Sequence, residues 1–107
     1  MLNLRDIAEQ AYMLAQKRGL ETDVISTLKH CAGEVVEACE AQTRLSWALD
    51  LESCEKHRYS LGLELADIII CALTASARTG INIEEYITVA MQKNAQRAYQ
   101  EQNNETA

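Results

Sequence analysis

Apolar residues recur along this chain with the period of an α-helix, and they divide it into four predicted helices. The first is predicted from about Leu4 to Arg18, where apolar side chains stand at three- and four-residue intervals before Gly19. The second is predicted to follow an N-cap at Thr22 or Asp23 and to continue to about Arg44. One side of this second helix collects its apolar residues, which are Val24, Leu28, Cys31, Ala32, Val35 and Cys39.

The third predicted helix extends from an N-cap at Ser60 to Gly80 and is apolar around most of its circumference. Its polar residues form a single stripe, made of Glu64, Asp67, Thr74 and Arg78. Because a helix of this kind is normally surrounded by other helices, the stripe is expected to line an internal or intersubunit cleft. The fourth helix is predicted from its N-cap, Asn82, to about Gln100, and residues 101–107 are predicted to be a frayed polar tail.

Residues 45–59 are the segment whose pattern is ambiguous. Leucines and Trp47 follow one another there at period two, but charges are dense, so a loop with a short helical turn at most is predicted. Proline is absent and only four of the 107 residues are glycine, which favours helix throughout. We therefore expect one all-α domain over residues 1–107, with a core of about 4–100 folded as an antiparallel four-helix bundle. The apolar third helix predicts that a second subunit completes the core.

Charge and hydropathy restrict the partners. The formal net charge of -6 argues against binding along a nucleic-acid polymer, because a phosphate backbone requires a basic stripe. Charged residues interrupt the first twenty positions, so no signal-peptide core is expected there. The longest uninterrupted apolar run, residues 68–73, is far shorter than the roughly 20 residues of a transmembrane helix. A soluble, cytoplasmic protein without a membrane partner is predicted.

Four cysteines, Cys31, Cys39, Cys54 and Cys71, could pair as two disulfides. None of them has a C-x-x-C spacing and three lie inside predicted helices, so reduced thiols packed as small hydrophobic side chains are favoured. Cys54 and His57 form a C-x-x-H sequence that could be half of a soft-metal site. A solvent-facing polar loop is the simpler interpretation of that segment.

Glu64 and Asp67 stand inside the most apolar stretch of the chain. An ionised carboxylate buried without a partner costs several kcal/mol, so it normally becomes neutral, pairs with a cation or binds a metal ion. An N-cap at Ser60 would put both in the first two helical turns, where the helix dipole favours negative charge. Glu34 and Glu37 repeat the same i,i+3 spacing on the second helix, and such residues share a helix face. Two such pairs facing each other predict a four-carboxylate cage for a divalent cation.

Three motifs occur in order: Gly33-Glu-Val-Val-Glu-Ala-Cys-Glu40, Glu64-Leu-Ala-Asp67 and Lys93-Asn-Ala-Gln-Arg97. Over roughly residues 25–99 the chain resembles the MazG-like all-α nucleoside triphosphate pyrophosphohydrolases, which carry an E-x-x-E motif, a variable connection and an E-x-x-D motif. The resemblance implies hydrolysis of a nucleoside triphosphate between its α and β phosphorus atoms, giving a nucleoside monophosphate and pyrophosphate. Cleansing of the nucleotide pool is the role it implies.

The resemblance also implies roles for individual residues. It assigns four metal ligands and catalytic residues, which are Glu34, Glu37, Glu64 and Asp67. These carboxylates suit Mg²⁺, with Mn²⁺ as a possible substitute, because hard cations prefer oxygen ligands. Bound metal would lower the pKa of an attacking water, and Glu37 or Glu34 would accept its proton. Lys93 and Arg97 would contact phosphates, and Asn94 phosphate or sugar. A homodimer or homotetramer is expected, with substrate residues from two chains.

Other candidates are weaker. Trp47 could stack on a nucleobase or cap the bundle, and the sequence favours neither. His30, one turn before Glu34, could contact substrate, although a partly buried structural histidine is favoured. The charged segment 56–58 could attract a triphosphate, but an ordinary charged loop is favoured.

Two other functional classes stay open. A non-catalytic oligomerising bundle is the main alternative, and the complete acidic motifs argue against it. A di-iron carboxylate bundle is more remote, because it needs Glu-x-x-His on two helices and neither His30 nor His57 follows a glutamate at that spacing.

Overall fold

A computed structural model describes residues 3–106, without the side chains of residues 104–106. It contains four helices, α1 (Leu4–Lys17), α2 (Val24–Ser46), α3 (Leu51–Thr79) and α4 (Ile83–Thr106), and no strand occurs among the described residues. The prediction of an all-α chain with four helices is therefore confirmed.

Capping residues set most of the helix ends. The Asn3 side chain accepts a hydrogen bond of 2.9 Å from a backbone N–H in the first turn of α1. Asp23, rather than Thr22, caps α2 and accepts from a backbone N–H at 3.0 Å. Gly19 and Gly80 both have a φ of 72°, the left-handed conformation that ends α1 and α3. The predicted ends of these two helices agree with the structure.

The start of α3 differs from the prediction: the loop over residues 45–59 and the N-cap at Ser60 are both wrong. Asp50 is the N-cap, and its carboxylate accepts from the Ser53 backbone N–H at 2.7 Å and from the Ser53 hydroxyl at 3.1 Å. Ser60 lies inside α3, where its hydroxyl donates to a backbone carbonyl one turn earlier. The period-two apolar residues were misleading because they straddle the end of α2, a short connection and Leu51.

α2 and α3 form the principal packed pair, and α1 packs against α3. α2 and α3 are antiparallel, since Cys31 approaches Ile68 while Glu34 approaches Glu64. The buried apolar residues are mostly small, and they are Ala8, Ala38, Ala41, Cys71 and Leu73. On α2, the apolar stripe predicted from the wheel is only partly covered, because Leu28 and Val35 remain exposed.

α4 projects from this three-helix unit. It packs mainly against α1, and the Leu4 backbone N–H donates to the Glu84 carboxylate at 3.1 Å. None of its residues whose side chains are described is buried. The helix continues to Thr106, so the frayed tail predicted over 101–106 is wrong, and Ala107 lies outside the described residues. No glycine or proline follows Ile83 to interrupt it.

The chain exposes more surface than a compact monomer of its mass. Its accessible area is 8467 Å², against about 6,000 Å² for a folded monomer of this size. The radius of gyration of 17.6 Å also exceeds the roughly 13 Å of a compact domain of this length. Large apolar side chains on α2 and α3 contribute to this exposed surface, including Ile25, Leu28, Val35, Val36, Leu63, Leu65, Ile69 and Ile70.

α3 is long and apolar enough, by length and composition, to cross a membrane. The core helix of a soluble protein passes the same test. In this chain α3 has α1 and α2 packed against it, and it carries Glu64 and Asp67 near its middle.

Candidate metal and substrate site

Three carboxylates of α2 and α3 converge. One oxygen each of Glu34, Glu37 and Glu64 lies within 4.8 Å of the other two. The i,i+3 spacing keeps Glu34 and Glu37 on neighbouring positions of α2, and the antiparallel packing of α3 brings Glu64 opposite them. Two oxygens bound to one Mg²⁺ at about 2.0–2.1 Å lie at most about 4.2 Å apart, so small side-chain movements are needed for one ion to contact all three groups.

Two oxygens of this cluster lack partners. Among the side chains that the structure describes, Glu34 Oε2 and Glu64 Oε2 are buried and have no hydrogen-bond donor. The Glu34 side chain is only 13% exposed. A buried polar atom without a partner is unfavourable, so these oxygens call for a proton or a cation.

The pKa of Glu64 is raised above its ordinary value of 4.5. The first cause is the neighbouring Glu34 carboxyl group, which hydrogen-bonds with the protonated form of Glu64. Desolvation and the negative charges of Glu34 and Asp67 act in the same direction, while a hydrogen bond with Glu37 lowers the pKa. The cluster therefore disfavours its own full ionisation when no cation is bound.

Asp67 lies one turn after Glu64, is exposed, and stands outside the set of three. It lines the adjacent cavity together with Glu34. Because α3 begins at Leu51, Glu64 and Asp67 occupy the middle of the helix, and their expected place in its first two turns is wrong. The dipole at a helix end therefore gives these carboxylates little support.

A cavity of about 690 Å³ opens between α1, α2 and α3 beside the carboxylates. The surface of its wall is mainly apolar, and the apolar lining residues are Ala11, Leu14, Ala15, Leu20, Ile70 and Cys71. Its polar lining includes His30, Glu34 and Asp67 near the cluster and Arg18, Glu21 and Ser26 near the α1–α2 connection. This size falls within the 300–1,000 Å³ that is typical of small-molecule sites.

Of the two weaker candidates, His30 lines the cavity and Trp47 does not. His30 lines the cavity, and its Nε2 lies 3.2 Å from Glu34 Oε1. Its side chain is 65% exposed, so the favoured interpretation as a partly buried structural histidine is wrong. Trp47 is the C-cap of α2 and is 74% exposed, so it covers no bundle formed by this chain, and it does not line the cavity.

Lys93, Asn94 and Arg97 lie on the exposed surface of α4. None of the three lines the cavity, and neither basic side chain forms an ion pair within the described chain. A single chain therefore does not bring these residues to the carboxylates.

All four cysteines are free, and all lie in helices. Burial, followed by the nearby Cys31 thiol and acidic side chains, raises the pKa of Cys71 to about 11. Cys39 is exposed, so packing as a hydrophobic side chain does not describe it within one chain. Cys54 and His57 lie in the first two turns of α3, and the loop predicted for them is wrong.

Sequence reasoning missed the polar residues at the far end of the cavity, Arg18, Glu21 and Ser26. The Ser26 hydroxyl donates to Glu21 Oε2 at 3.0 Å. A helical wheel gives no signal for them, because the turn between α1 and α2 brings them to the cavity.

No family model matches this sequence, and a search of curated proteins gives no match. Function is therefore inferred from the chemistry of the site.

Proposed function

We propose that this protein is a Mg²⁺-dependent nucleoside triphosphate pyrophosphohydrolase that cleaves between the α and β phosphorus atoms. The observation that carries this proposal is the convergence of Glu34, Glu37 and Glu64, with two buried and unpartnered oxygens, beside a cavity of small-molecule size. The products are a nucleoside monophosphate and pyrophosphate, as expected of an enzyme that cleanses the cytoplasmic nucleotide pool.

The donor atoms of the cluster fit a hard cation. All are carboxylate oxygens, which suit Mg²⁺ or Mn²⁺ better than a soft metal. Glu34, Glu37 and Glu64 would hold the ion, with Asp67, one turn after Glu64, as a fourth candidate ligand. When bound, the metal neutralises phosphate charge and makes a coordinated water more acidic.

The protein groups around the cluster have separate roles. His30 contacts Glu34 and fixes the orientation of its carboxylate. Glu37 is the most exposed member of the set and has no such contact, so in this proposal it accepts the proton of the attacking water.

A second copy of the chain supplies the phosphate-binding residues in this proposal. Each chain exposes about 2,500 Å² more than a compact monomer, and obligate dimers bury about 2,000–5,000 Å² in total. The projecting α4 would then carry Lys93, Asn94 and Arg97 to the carboxylates of its neighbour, in a homodimer or homotetramer. In this proposal the outer faces of α2 and α3 contact a second copy of the chain and not a membrane, and the net charge of -6 disfavours a nucleic-acid polymer.

The proposal is tested with a panel of ribo- and deoxyribonucleoside triphosphates and Mg²⁺, with the products separated by ion-exchange chromatography. Monophosphate and pyrophosphate are expected from the wild type, and Glu64→Gln should remove the activity. Glu40→Gln is the matched control, because Glu40 lies on α2 and its exposed carboxylate pairs with Arg44 at 3.8 Å. Binding of nucleotides without turnover would favour the non-catalytic bundle, and release of orthophosphate would contradict α,β cleavage.

Mixing two inactive variants tests whether sites are shared between chains. Glu64→Gln and Arg97→Ala are each expected to be inactive alone. After unfolding and refolding together in equal amounts, about a quarter of wild-type activity should return if a dimer pairs Glu64 of one chain with Arg97 of the other. No recovery in refolded dimers would show that each site uses its own chain.

A further inference from the structure

We propose that the cavity between α1, α2 and α3 binds the nucleoside end of the substrate, and that Glu21 selects bases carrying an exocyclic amino group. This inference rests on the proposed function, because the phosphates are taken to bind the Mg²⁺ ion that the carboxylate cluster would hold. It adds the identity of the group that occupies the rest of the cavity and the residue that discriminates between bases.

The two polar ends of the cavity are separated by a distance that suits a nucleoside. Glu34 lies at the end next to the cluster, and Ser26 lies near the α1–α2 connection. Both are on α2, eight positions apart, which corresponds to about 12 Å along the helix axis. A ribose and a base joined in extended form have a comparable length. Phosphates at Glu34 would therefore place the base beside Ser26 and Glu21.

The wall between these ends combines apolar side chains with the polar groups of Thr27, His30 and Thr74, and it is suited to a flat group that is apolar on its faces and polar at its edges. Ala11 and Ala15 on α1 leave room between the helices, and Leu14, Leu20 and Ile70 supply apolar surface. Sites for small organic ligands commonly combine such a wall with a few polar groups that fix orientation.

The far end presents an oriented hydrogen-bond acceptor. The Ser26 hydroxyl donates to Glu21 Oε2 at 3.0 Å and thereby holds the carboxylate in place. A carboxylate accepts hydrogen bonds from the amino groups of cytosine, adenine or guanine. Uracil and thymine present a carbonyl oxygen in place of the cytosine amino group, and that oxygen is repelled by the Glu21 carboxylate. Arg18 lines the same end and can donate to a carbonyl of the accepted base.

Filling the cavity tests the first part of the proposal. Ala15→Phe places a ring in the cavity, whereas Met13→Phe adds a ring on the same helix at a residue that is 54% exposed and outside the lining. Calorimetry with Mg²⁺ measures the binding of deoxycytidine monophosphate and, separately, of pyrophosphate. Ala15→Phe should weaken monophosphate binding by about tenfold or more and leave pyrophosphate binding unchanged, because only the nucleoside enters the cavity. Met13→Phe should change neither.

Replacing the Glu21 carboxylate tests whether this residue selects the base. This test does not depend on whether Ala15→Phe folds. Glu21→Gln should lower kcat/KM for dCTP relative to dUTP by about tenfold or more, because the amide provides a weaker acceptor and an added donor. Glu55→Gln, an exposed acid on α3 outside the cavity, should leave this ratio unchanged. An unchanged ratio in Glu21→Gln would overturn the role of Glu21.

The experiments distinguish failure of the cavity proposal from failure of the proposed function. Wild-type protein that hydrolyses no triphosphate, but binds deoxycytidine monophosphate with sensitivity to Ala15→Phe, would support the cavity as a nucleoside site and contradict the enzyme. Wild-type turnover with monophosphate binding unchanged in folded Ala15→Phe would support the enzyme and overturn the cavity proposal.

Discussion

Glu64→Gln should have opposite effects on stability with and without Mg²⁺. In metal-free protein at neutral pH the variant should melt at a higher temperature than the wild type. It removes one of three neighbouring negative charges and offers an amide donor to the unpartnered oxygen of Glu34. With Mg²⁺ present the order should reverse, because the variant has lost a ligand.

The size of the metal effect follows from linkage. Mg²⁺ at 100 times its dissociation constant should stabilise the wild type by about 2.7 kcal/mol, which is roughly 11–22 °C in Tm for a domain of this size. If loss of one carboxylate weakens binding tenfold, the same Mg²⁺ concentration should stabilise the variant by only about 1.4 kcal/mol. The expected increase in its Tm is therefore about half that of the wild type.

Differential scanning calorimetry measures both effects at a fixed protein concentration. NaCl at matched ionic strength controls for screening, since any salt reduces repulsion between exposed charges. Glu40→Gln should respond to Mg²⁺ like the wild type, because the exposed carboxylate of Glu40 pairs with Arg44 and lies outside the cluster. A wild-type Tm that responds no more to Mg²⁺ than to NaCl, or a metal-free variant less stable than the wild type, would refute the cluster as a cation site.

Three further outcomes test the fold. Leu73→Ala should lower the free energy of unfolding by about 2–5 kcal/mol in urea titrations, because Leu73 is only 3% exposed; a surface-like change below about 0.5 kcal/mol would contradict its burial. Hydrogen bonds from Ser53 hold the pKa of Asp50 below 3.8, so Asp50→Ala should lower Tm at pH 7. The difference in Tm between wild type and variant should narrow as the pH falls below 3.8 and through the lower pKa of the folded state. A difference that does not change with pH would contradict this cap. The raised pKa of the Cys71 thiol, about 11, should keep it unmodified by iodoacetamide at pH 8 until urea is added, and mass spectrometry of native protein showing rapid modification would contradict its burial.

Helix ends could be predicted from the sequence where one local signal marked them and no other pattern overlapped it. The glycines that end α1 and α3 stand directly after apolar periodic segments, so both helix ends could be predicted. The start of α3 could not be predicted in this way. The apolar residues around Leu49 recur at period two, but they belong to the end of α2, a short connection and the first residue of α3. Asp50 followed by Ser53 was the signal available there, and it identifies the cap correctly.

The candidate site was only partly predictable. Two acidic pairs with helical spacing allowed Glu34, Glu37 and Glu64 to be expected together, since antiparallel packing of neighbouring helices is common. The cavity depends on the conformation of the connection between α1 and α2. The periodicity of apolar residues does not determine that conformation. The position of α4 depends on tertiary packing as well, and its exposed basic residues meet the carboxylates only if another chain is present.

Phosphorus NMR of a deoxyribonucleoside triphosphate incubated with the wild type and Mg²⁺ in oxygen-18 water tests the central claim most directly. The spectrum should show monophosphate and pyrophosphate at equal rates, with the heavy oxygen incorporated into one of these two products and no orthophosphate. Glu64→Gln should leave the triphosphate intact under the same conditions. Accumulation of diphosphate and orthophosphate, or equal turnover by the wild type and Glu64→Gln, would contradict a carboxylate-bound metal site that hydrolyses the α,β anhydride.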